Sequence, residues 1–225
     1  MNNSIFRLHD FEKSFDGMVN KTVNTFPKTI SVIFHPLLIP TWAFLVVIAQ
    51  GNLHFFQIPP HAKWLIAAMV FTISAAVPAM IILLMYRLKM ISALSIPIKE
   101  ERAAPIIISA LFFYLTYYLL KHLQIAPIFG FYMLGATTLA ILSLFINLWW
   151  KISLHLTAMG GLVGAFTGLS LLVHDNYLTT VISAVLLAGV VAYSRLKLSA
   201  HNPLQVYAGF LTGFGLMYFL FEILH

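Results

Sequence analysis

The sequence has no cysteine, and only 9% of its 225 residues are charged. Without cysteine, disulfide bonds, thiolate metal sites and thiol nucleophiles are excluded. The small charged fraction excludes an ordinary soluble domain, in which about a quarter of the residues carry charge. What the sequence has instead is apolar residues, which make up 60% of it. We therefore predict an integral membrane protein.

Acidic residues are also few: 7 Asp and Glu stand against 13 Lys and Arg, for a net charge of +6. A basic balance can indicate nucleic-acid binding, but these basic residues lie between the apolar runs, where membrane topology requires them. We therefore expect no nucleic-acid partner. Eleven of the 13 fall on the N-terminal side of the predicted bundle, and only Lys63 and Lys121 lie opposite. The positive-inside rule then predicts a cytoplasmic N-terminus in a bacterial inner or plasma membrane.

Seven apolar runs are long enough, or nearly long enough, to cross about 30 Å of hydrocarbon as helices. They cover residues 30–50, 64–86, 103–120, 127–150, 156–173, 178–194 and 203–224. Pro36 and Pro40 predict a kink or an irregular start in the first run. Glycines at three- and four-residue spacings in the fifth and seventh runs predict close helix packing. The predicted fold is all-α: a polytopic transmembrane bundle of about seven spans, forming one domain over 30–225.

The first 29 residues are polar and mixed in charge, with apolar side chains at the spacing of a helix with one apolar stripe. Those side chains are Leu8, Phe11, Phe15 and Met18. We predict an amphipathic N-terminal segment over 1–29 that either lies on the membrane surface or docks on the bundle. It is not a signal peptide, because acidic residues interrupt the place of the uncharged h-region.

Three polar clusters lie where predicted helices begin. The first is 99–105, with Lys99 and Arg102, the second is 151–155 and the third is 194–205. Two predicted spans separate each cluster from the next, so all three are predicted on the same membrane face. Such a set suits phosphoryl transfer, in which fixed cations and backbone N–H groups hold phosphate oxygens while a nucleophile attacks in line.

Histidine can be that nucleophile. Asn202 suits an N-cap and Pro203 the first helical position, so His201 is expected just ahead of a helix N-terminus, which favours an anion. Arg195 could clamp a phosphate with two N–H donors, and His155 could protonate a leaving alkoxide. Each residue alone also has a plainer interpretation, as an anchor among lipid headgroups or as a hydrogen-bonded structural histidine.

Two of these motifs resemble signatures of the type-2 phosphatidic acid phosphatase superfamily. The third signature of that family, Ser-Arg-x5-His-x3-Asp, and the end of its second, Pro-Ser-Gly-His, are matched by Ser194, Arg195 and His201 and by Ser153 and His155. The resemblance covers residues 85–225. It implies a helical membrane phosphatase with a six-helix core that uses no metal or cofactor. Its substrate would be a membrane lipid phosphate or a polyprenyl diphosphate, hydrolysed through a phosphohistidine intermediate.

The resemblance also implies roles for individual residues. His201 would be the nucleophile and His155 the general acid, with Gln205 at the position of the family's Asp. The implied phosphate ligands are Lys99, Arg102, Ser153 and Arg195.

The chain departs from the family in its motifs and in its predicted orientation. A neutral amide at Gln205 can orient an imidazole but cannot stabilise its positive form, and the comparable loss in a serine-protease triad costs about 10⁴-fold in kcat. Glu100 or Glu101 could supply the missing charge. The first signature, Lys-x6-Arg-Pro, has two partial matches. Lys89 with Pro97 keeps its Lys and Pro but loses the Arg, and Lys99 with Arg102, which we prefer, keeps its cations at a shorter spacing. The second signature lacks its Pro and Gly. Bacterial members of the family usually act in the periplasm, whereas the charge count here predicts a cytoplasmic site.

Two other functions remain open from the sequence. A catalytically weak or inactive phosphatase-like protein that binds anionic lipid or a partner protein is favoured by Gln205. A small-molecule transporter is favoured by the proline-interrupted first run and the glycine-rich helices. Against a transporter, no charged residue lies in the middle of a predicted span to mark an ion path.

Overall fold

The computed structural model describes residues 24–50, 62–173 and 177–223. These residues form helices and loops, with no strand among them. We number the helices of the described chain α1 (24–33), α2 (Ile39–Ala49), α3 (Lys63–Arg87), α4 (Ala103–His122), α5 (Pro127–Trp149), α6 (Leu154–Val173), α7 (Leu178–Lys197) and α8 (Pro203–Glu222). A short 3₁₀ turn, Glu100–Arg102, leads into α4.

Helices α3 to α8 are long and apolar enough to cross a membrane. Each contains at least 18 residues, which at about 1.5 Å per residue approaches the roughly 30 Å hydrocarbon core. The prediction of an all-α fold is therefore confirmed, and six membrane-capable helices support an integral membrane protein.

The first predicted run, 30–50, contains two short helices rather than one long one. Helix α1 ends at residue 33, a turn occupies 34–38, and α2 has 11 residues. The interruption expected at Pro36 is present, because proline cannot donate a helical hydrogen bond. Helix α2 alone covers only about 16 Å, so a seventh span stays a prediction. Residues 1–23 of the predicted amphipathic segment lie outside the described residues. The segment was predicted to end at residue 29, but α1 continues past that position to residue 33.

A π-helical turn, Thr72–Ala76, widens the middle of α3. It directly precedes Val77 and Pro78. Because Pro78 has no N–H to donate to the carbonyl of Ser74, the regular ladder is broken there and the helix accommodates an extra residue. Residues of this turn line the cavity described below.

Helices α6 and α8 pack backbone against backbone. A Cβ atom added at Gly160 would lie 2.1 Å from the carbonyl oxygen of Phe210, and one at Gly213 would lie 2.0 Å from that of Thr157. Only glycine permits such an approach, as the small-residue spacing predicts. The contact continues to the helix starts, where the N–H of Ser153 donates to the carbonyl of Gln205 at 3.3 Å.

Successive long helices run in opposite directions, so three connections lie at one end of the bundle. They are the loops 88–99, 150–153 and 198–202, and we call this end the cluster face. Ser31 and His35, at the end of α1 and in the turn after it, also lie there, since the carbonyl of Ser31 contacts His155 at the start of α6. The three polar clusters of the sequence therefore share one face.

Gly213→Ala should lower the thermal stability of the protein, because α6 and α8 would have to separate. Overpacking of this kind costs about 1–3 kcal/mol. Gly215→Ala is a matched control on the same helix, since a Cβ there would have no described atom within 4 Å apart from its chain neighbours and the nearby backbone of its own helix. Thermal unfolding of both variants in detergent measures the difference, and equal melting temperatures would contradict the close contact.

Candidate functional site

A cavity of about 1050 Å³ opens at the cluster face and extends into the bundle. Its polar end carries four basic and three histidine side chains: Lys28, Arg102, Lys151, Arg195, His35, His155 and His201. No carboxylate of the described residues lines it. Most of the remaining lining is apolar. A positive end without a counter-charge, in a region of low dielectric, favours binding of an anion.

The start of α8 holds His201 in a defined orientation. Asn202 is the N-cap: its side-chain oxygen accepts from the N–H of Gln205 at 2.9 Å, and Gln205 Oε1 accepts from the N–H of Asn202 at 3.3 Å. This reciprocal capping box satisfies two backbone donors at once. Gln205 Oε1 also lies 3.0 Å from His201 Nδ1. The contact expected between the nucleophile candidate and the residue four positions later is therefore present.

The same contact determines which nitrogen of His201 carries the proton. A backbone N–H can only donate, so the side-chain atom of Gln205 that faces Asn202 is its oxygen. The Nδ1 of His201 must then be the donor to that oxygen. In a neutral imidazole this leaves a lone pair on Nε2, which is the form that a nucleophilic histidine needs.

Burial keeps His201 neutral at physiological pH. Burial lowers the pKa of His201 to about 4, the hydrogen bond with Gln205 opposes this shift, and the charges of Arg102, Arg195 and Lys151 add to it. Burial, followed by the charges of Arg102 and Arg195, likewise lowers the pKa of Lys151. The smaller part of each pKa shift, the part due to these neighbouring cations, reflects a positive potential that a bound anion would reduce.

Arg195 lines the cavity with much of its donor capacity free. Its Nη1 donates to Ser31 Oγ at 3.2 Å. Its Nε is buried and has no hydrogen-bond partner among the described residues. Because protein atoms enclose this Nε, a ligand in the cavity would meet the Nη groups of the guanidinium instead.

Arg102 lies at the wall of the cavity and joins two loops. It is only 6% exposed. Its Nε donates to the carbonyl of Ile96 at 3.0 Å, and its Nη1 donates to the carbonyl of Ile152 at 3.4 Å. Ile96 has a φ of 43°, a strained conformation for a β-branched residue. Arg102 therefore holds the loop 88–99 against the start of α6, in addition to contributing charge.

Two of the predicted phosphate ligands do not line the cavity. The Nζ of Lys99 donates to the carbonyl of Leu148 at 2.9 Å. Ser153 is fully buried, and its hydroxyl has no hydrogen-bond partner among the described residues. In this arrangement Ser153 joins the starts of α6 and α8 through its backbone, and phosphate binding by either side chain stays a prediction.

The acidic residues of the first cluster also lie away from His201. The carboxylate of Glu101 accepts from the N–H and the hydroxyl of Ser92 at 2.9 and 2.8 Å. Neither Glu100 nor Glu101 lines the cavity. The hypothesis that one of them replaces the missing Asp therefore has no contact to support it.

Residues near the N-terminal end of the described chain contact His155. Its Nε2 lies 3.0 Å from the carbonyl oxygen of Ser31, which can only accept, so Nε2 carries a proton. The rings of His155 and His35 meet edge to face with their centres 5.5 Å apart. Ser31 thus contacts two predicted site residues, His155 through its carbonyl and Arg195 through its hydroxyl.

Sequence reasoning missed Lys28, Ser31 and His35 as site residues. Ser31 lies 124 positions before His155 and 164 before Arg195, which it contacts in α6 and α7. No spacing rule connects such distant segments. One signal was present, since His35 is a polar residue next to Pro36 inside an apolar run. Polar groups at a broken membrane helix commonly mark a site.

No known protein family, curated protein or solved structure matches the chain. The functional interpretation therefore rests on the residues themselves and on their geometry. Among the described residues, no group of three or more His, Asp or Glu side chains is arranged to hold a metal ion.

The burial of neutral His201 predicts that stability falls on acidification. The unfolded histidine binds a proton at a pKa of about 6.5, whereas the folded one does so only near pH 4. Between these values the unfolded state binds more protons, so the free energy of unfolding decreases as the pH falls. The His201→Asn variant, which keeps a donor near Gln205, should lose less stability. Thermal unfolding of both proteins between about pH 7 and pH 4.5 tests this, and identical pH profiles would contradict it.

Proposed function

We propose that this chain is a membrane phosphatase, a divergent relative of the type-2 phosphatidic acid phosphatases. It hydrolyses a lipid phosphate or a polyprenyl diphosphate through a phosphohistidine. One observation carries the proposal: a neutral His201 with a free Nε2 lone pair lines a cavity whose polar end is cationic and whose interior is apolar. A lipid phosphate combines these two chemical features in one molecule.

In the first step, Nε2 of His201 attacks phosphorus. The N–P bond forms as the P–O bond to the leaving group breaks. His155, entering this step as an imidazolium whose Nε2–H stays on the Ser31 carbonyl, gives its Nδ1 proton to the leaving oxygen. In the second step, water attacks the phosphohistidine, His155 takes a proton from that water, and inorganic phosphate leaves. Both residues line the same cavity, as a shared reaction centre requires.

The basic side chains supply the electrostatic part of the mechanism. Arg195, Arg102 and Lys151 line the polar end of the cavity, where the phosphate would bind, and no described carboxylate lines it with them. Preorganised positive groups stabilise the charge on the transferring phosphoryl group at little reorganisation cost. Arg195 is the strongest candidate for direct contact, because among the described residues only its Nη1 has a partner, whereas Arg102 donates to two carbonyl groups.

The proposal places the cluster face in the cytoplasm. The basic residues of the loops on that face far outnumber Lys63 and Lys121 on the other, and the positive-inside rule assigns such a face to the cytoplasm. The substrate would then be a lipid of the inner leaflet.

Gln205 favours a second candidate, a weak or inactive relative that binds anionic lipid. The amide orients His201 but cannot stabilise the positive charge that develops on the ring when Nε2 attacks. Arg102 is already engaged by two carbonyl groups. A protein of this kind would keep the binding cavity and lose turnover.

Phosphate release by the purified protein tests the proposal. The panel is phosphatidate, lysophosphatidate, phosphatidylglycerophosphate and undecaprenyl diphosphate. We expect release from at least one of them, and we expect His201→Asn to abolish it because no nucleophile remains. If the wild-type protein released phosphate from none of these four lipids, the proposed catalytic activity would be rejected.

Gln205→Glu in the same assay separates the two candidates. Glu keeps the length of the side chain and suits this position of a capping box, while it adds the charge that stabilises the imidazolium. A sound site lacking only that charge should gain at least about tenfold in kcat, since the comparable carboxylate of a serine protease is worth about 10⁴-fold. Gln205→Leu is the matched control and should lose activity. No gain in the Glu variant would favour the binding protein.

A further inference from the structure

The apolar part of the cavity reaches past the middle of the long helices, counted from the cluster face. Its deepest lining residues include Phe71 on α3, Tyr132 on α5 and Met217 on α8. Counted along each helix at about 1.5 Å per residue, these positions lie roughly 20–25 Å from the cluster face. One leaflet accounts for only about 15 Å of the hydrocarbon core. The positions of these residues on three separate helices therefore indicate that the cavity is deeper than a single leaflet.

One side of α5 lines the cavity along its length. Tyr132, Ala136, Ala140 and Ser143 recur at three- and four-residue spacings on one side of the helix, and all four line the cavity. Three of these side chains are small, and the large ring of Tyr132 stands at the deep end. Leu139 of the same helix also lines the cavity, and it packs against Gly161 of α6, where a Cβ would lie 2.8 Å from its Cδ1. This side of α5 thus leaves a channel that is open down to Tyr132.

Tyr132 stands between two cavities. Below the large one lies a smaller apolar cavity of about 30 Å³, and Tyr132 lines both. The smaller cavity is otherwise enclosed by core residues such as Phe44, Phe129 and Leu120. Its lining has no polar side chain other than Tyr132. Pro40 is the other residue that lines both cavities, so Tyr132 and Pro40 together separate the large cavity from the small one.

We propose that Tyr132 determines the length of the hydrocarbon chain that the site accepts. The ligand is a lipid phosphate or diphosphate of the prenyl type, whose chain passes the bilayer midplane. The four basic side chains hold its phosphate, and the channel along α5 holds the chain. An acyl chain of an ordinary phospholipid ends near the midplane and leaves the deep part of the channel unfilled. This proposal rests on the proposed function in one respect: it uses the same phosphate-binding site.

Binding of non-hydrolysable phosphonates tests the proposal without requiring turnover. The probes are geranyl, farnesyl and geranylgeranyl phosphonates, with dissociation constants measured on the full chain in detergent. We expect affinity to rise along this series in the wild type as more chain is buried. Ala140→Phe should block the channel near the midplane, weakening geranylgeranyl binding by at least about tenfold and geranyl binding by less than about twofold.

Two further variants complete the test. Ile141→Phe adds the same ring to the lipid-facing side of α5, where the side chain is exposed, and should leave the whole series unchanged. Tyr132→Ala joins the two cavities and should raise the affinity for the longest chain relative to farnesyl. Equal weakening of all chains in Ala140→Phe, or an unchanged chain preference in Tyr132→Ala, would overturn the proposal. If binding depends on chain length but no lipid phosphate is hydrolysed, the proposed phosphatase activity is rejected and the proposed hydrocarbon channel is supported.

Discussion

The close contact between α6 and α8 is the constraint on which the site depends. Glycine at Gly160 and Gly213 lets the two backbones touch, where any side chain would meet a carbonyl oxygen at about 2 Å. Because the helices cannot separate, their starts lie side by side, and the N–H of Ser153 reaches the carbonyl of Gln205. His155 and His201, which flank those starts, therefore open into one cavity. The site geometry follows from helix packing rather than from a flexible loop.

Charge is the second determinant of what this cavity can bind. Buried basic groups in a membrane bundle are costly unless something compensates them. Here the described chain offers backbone carbonyls to Arg102 and a hydroxyl to Arg195, but no carboxylate lines the cavity. A phosphate would complete the compensation. In our proposal a lipid carries that phosphate, because an apolar channel lies behind the basic groups.

The six long helices were predictable from sequence because length and apolar composition decide which segments can cross a bilayer. Predicted runs such as 64–86 agree within a few residues with Lys63–Arg87. Side-chain direction was less predictable. Lys99 points to a carbonyl of α5 and Ser153 is buried behind the cavity wall, because local loop packing outweighs their position in a motif. Ser31 was beyond prediction, since its contacts join segments that only the tertiary fold brings together.

A structure of the protein with vanadate bound would test the central claim most directly, because vanadate adopts the five-coordinate geometry of a phosphoryl group in transfer. If His201 is the nucleophile, vanadium will lie within bonding distance of its Nε2, on the axis of that lone pair, with vanadate oxygens facing Arg195. Vanadate bound away from His201, or bound equally well by the His201→Asn variant, would contradict nucleophilic attack by this histidine.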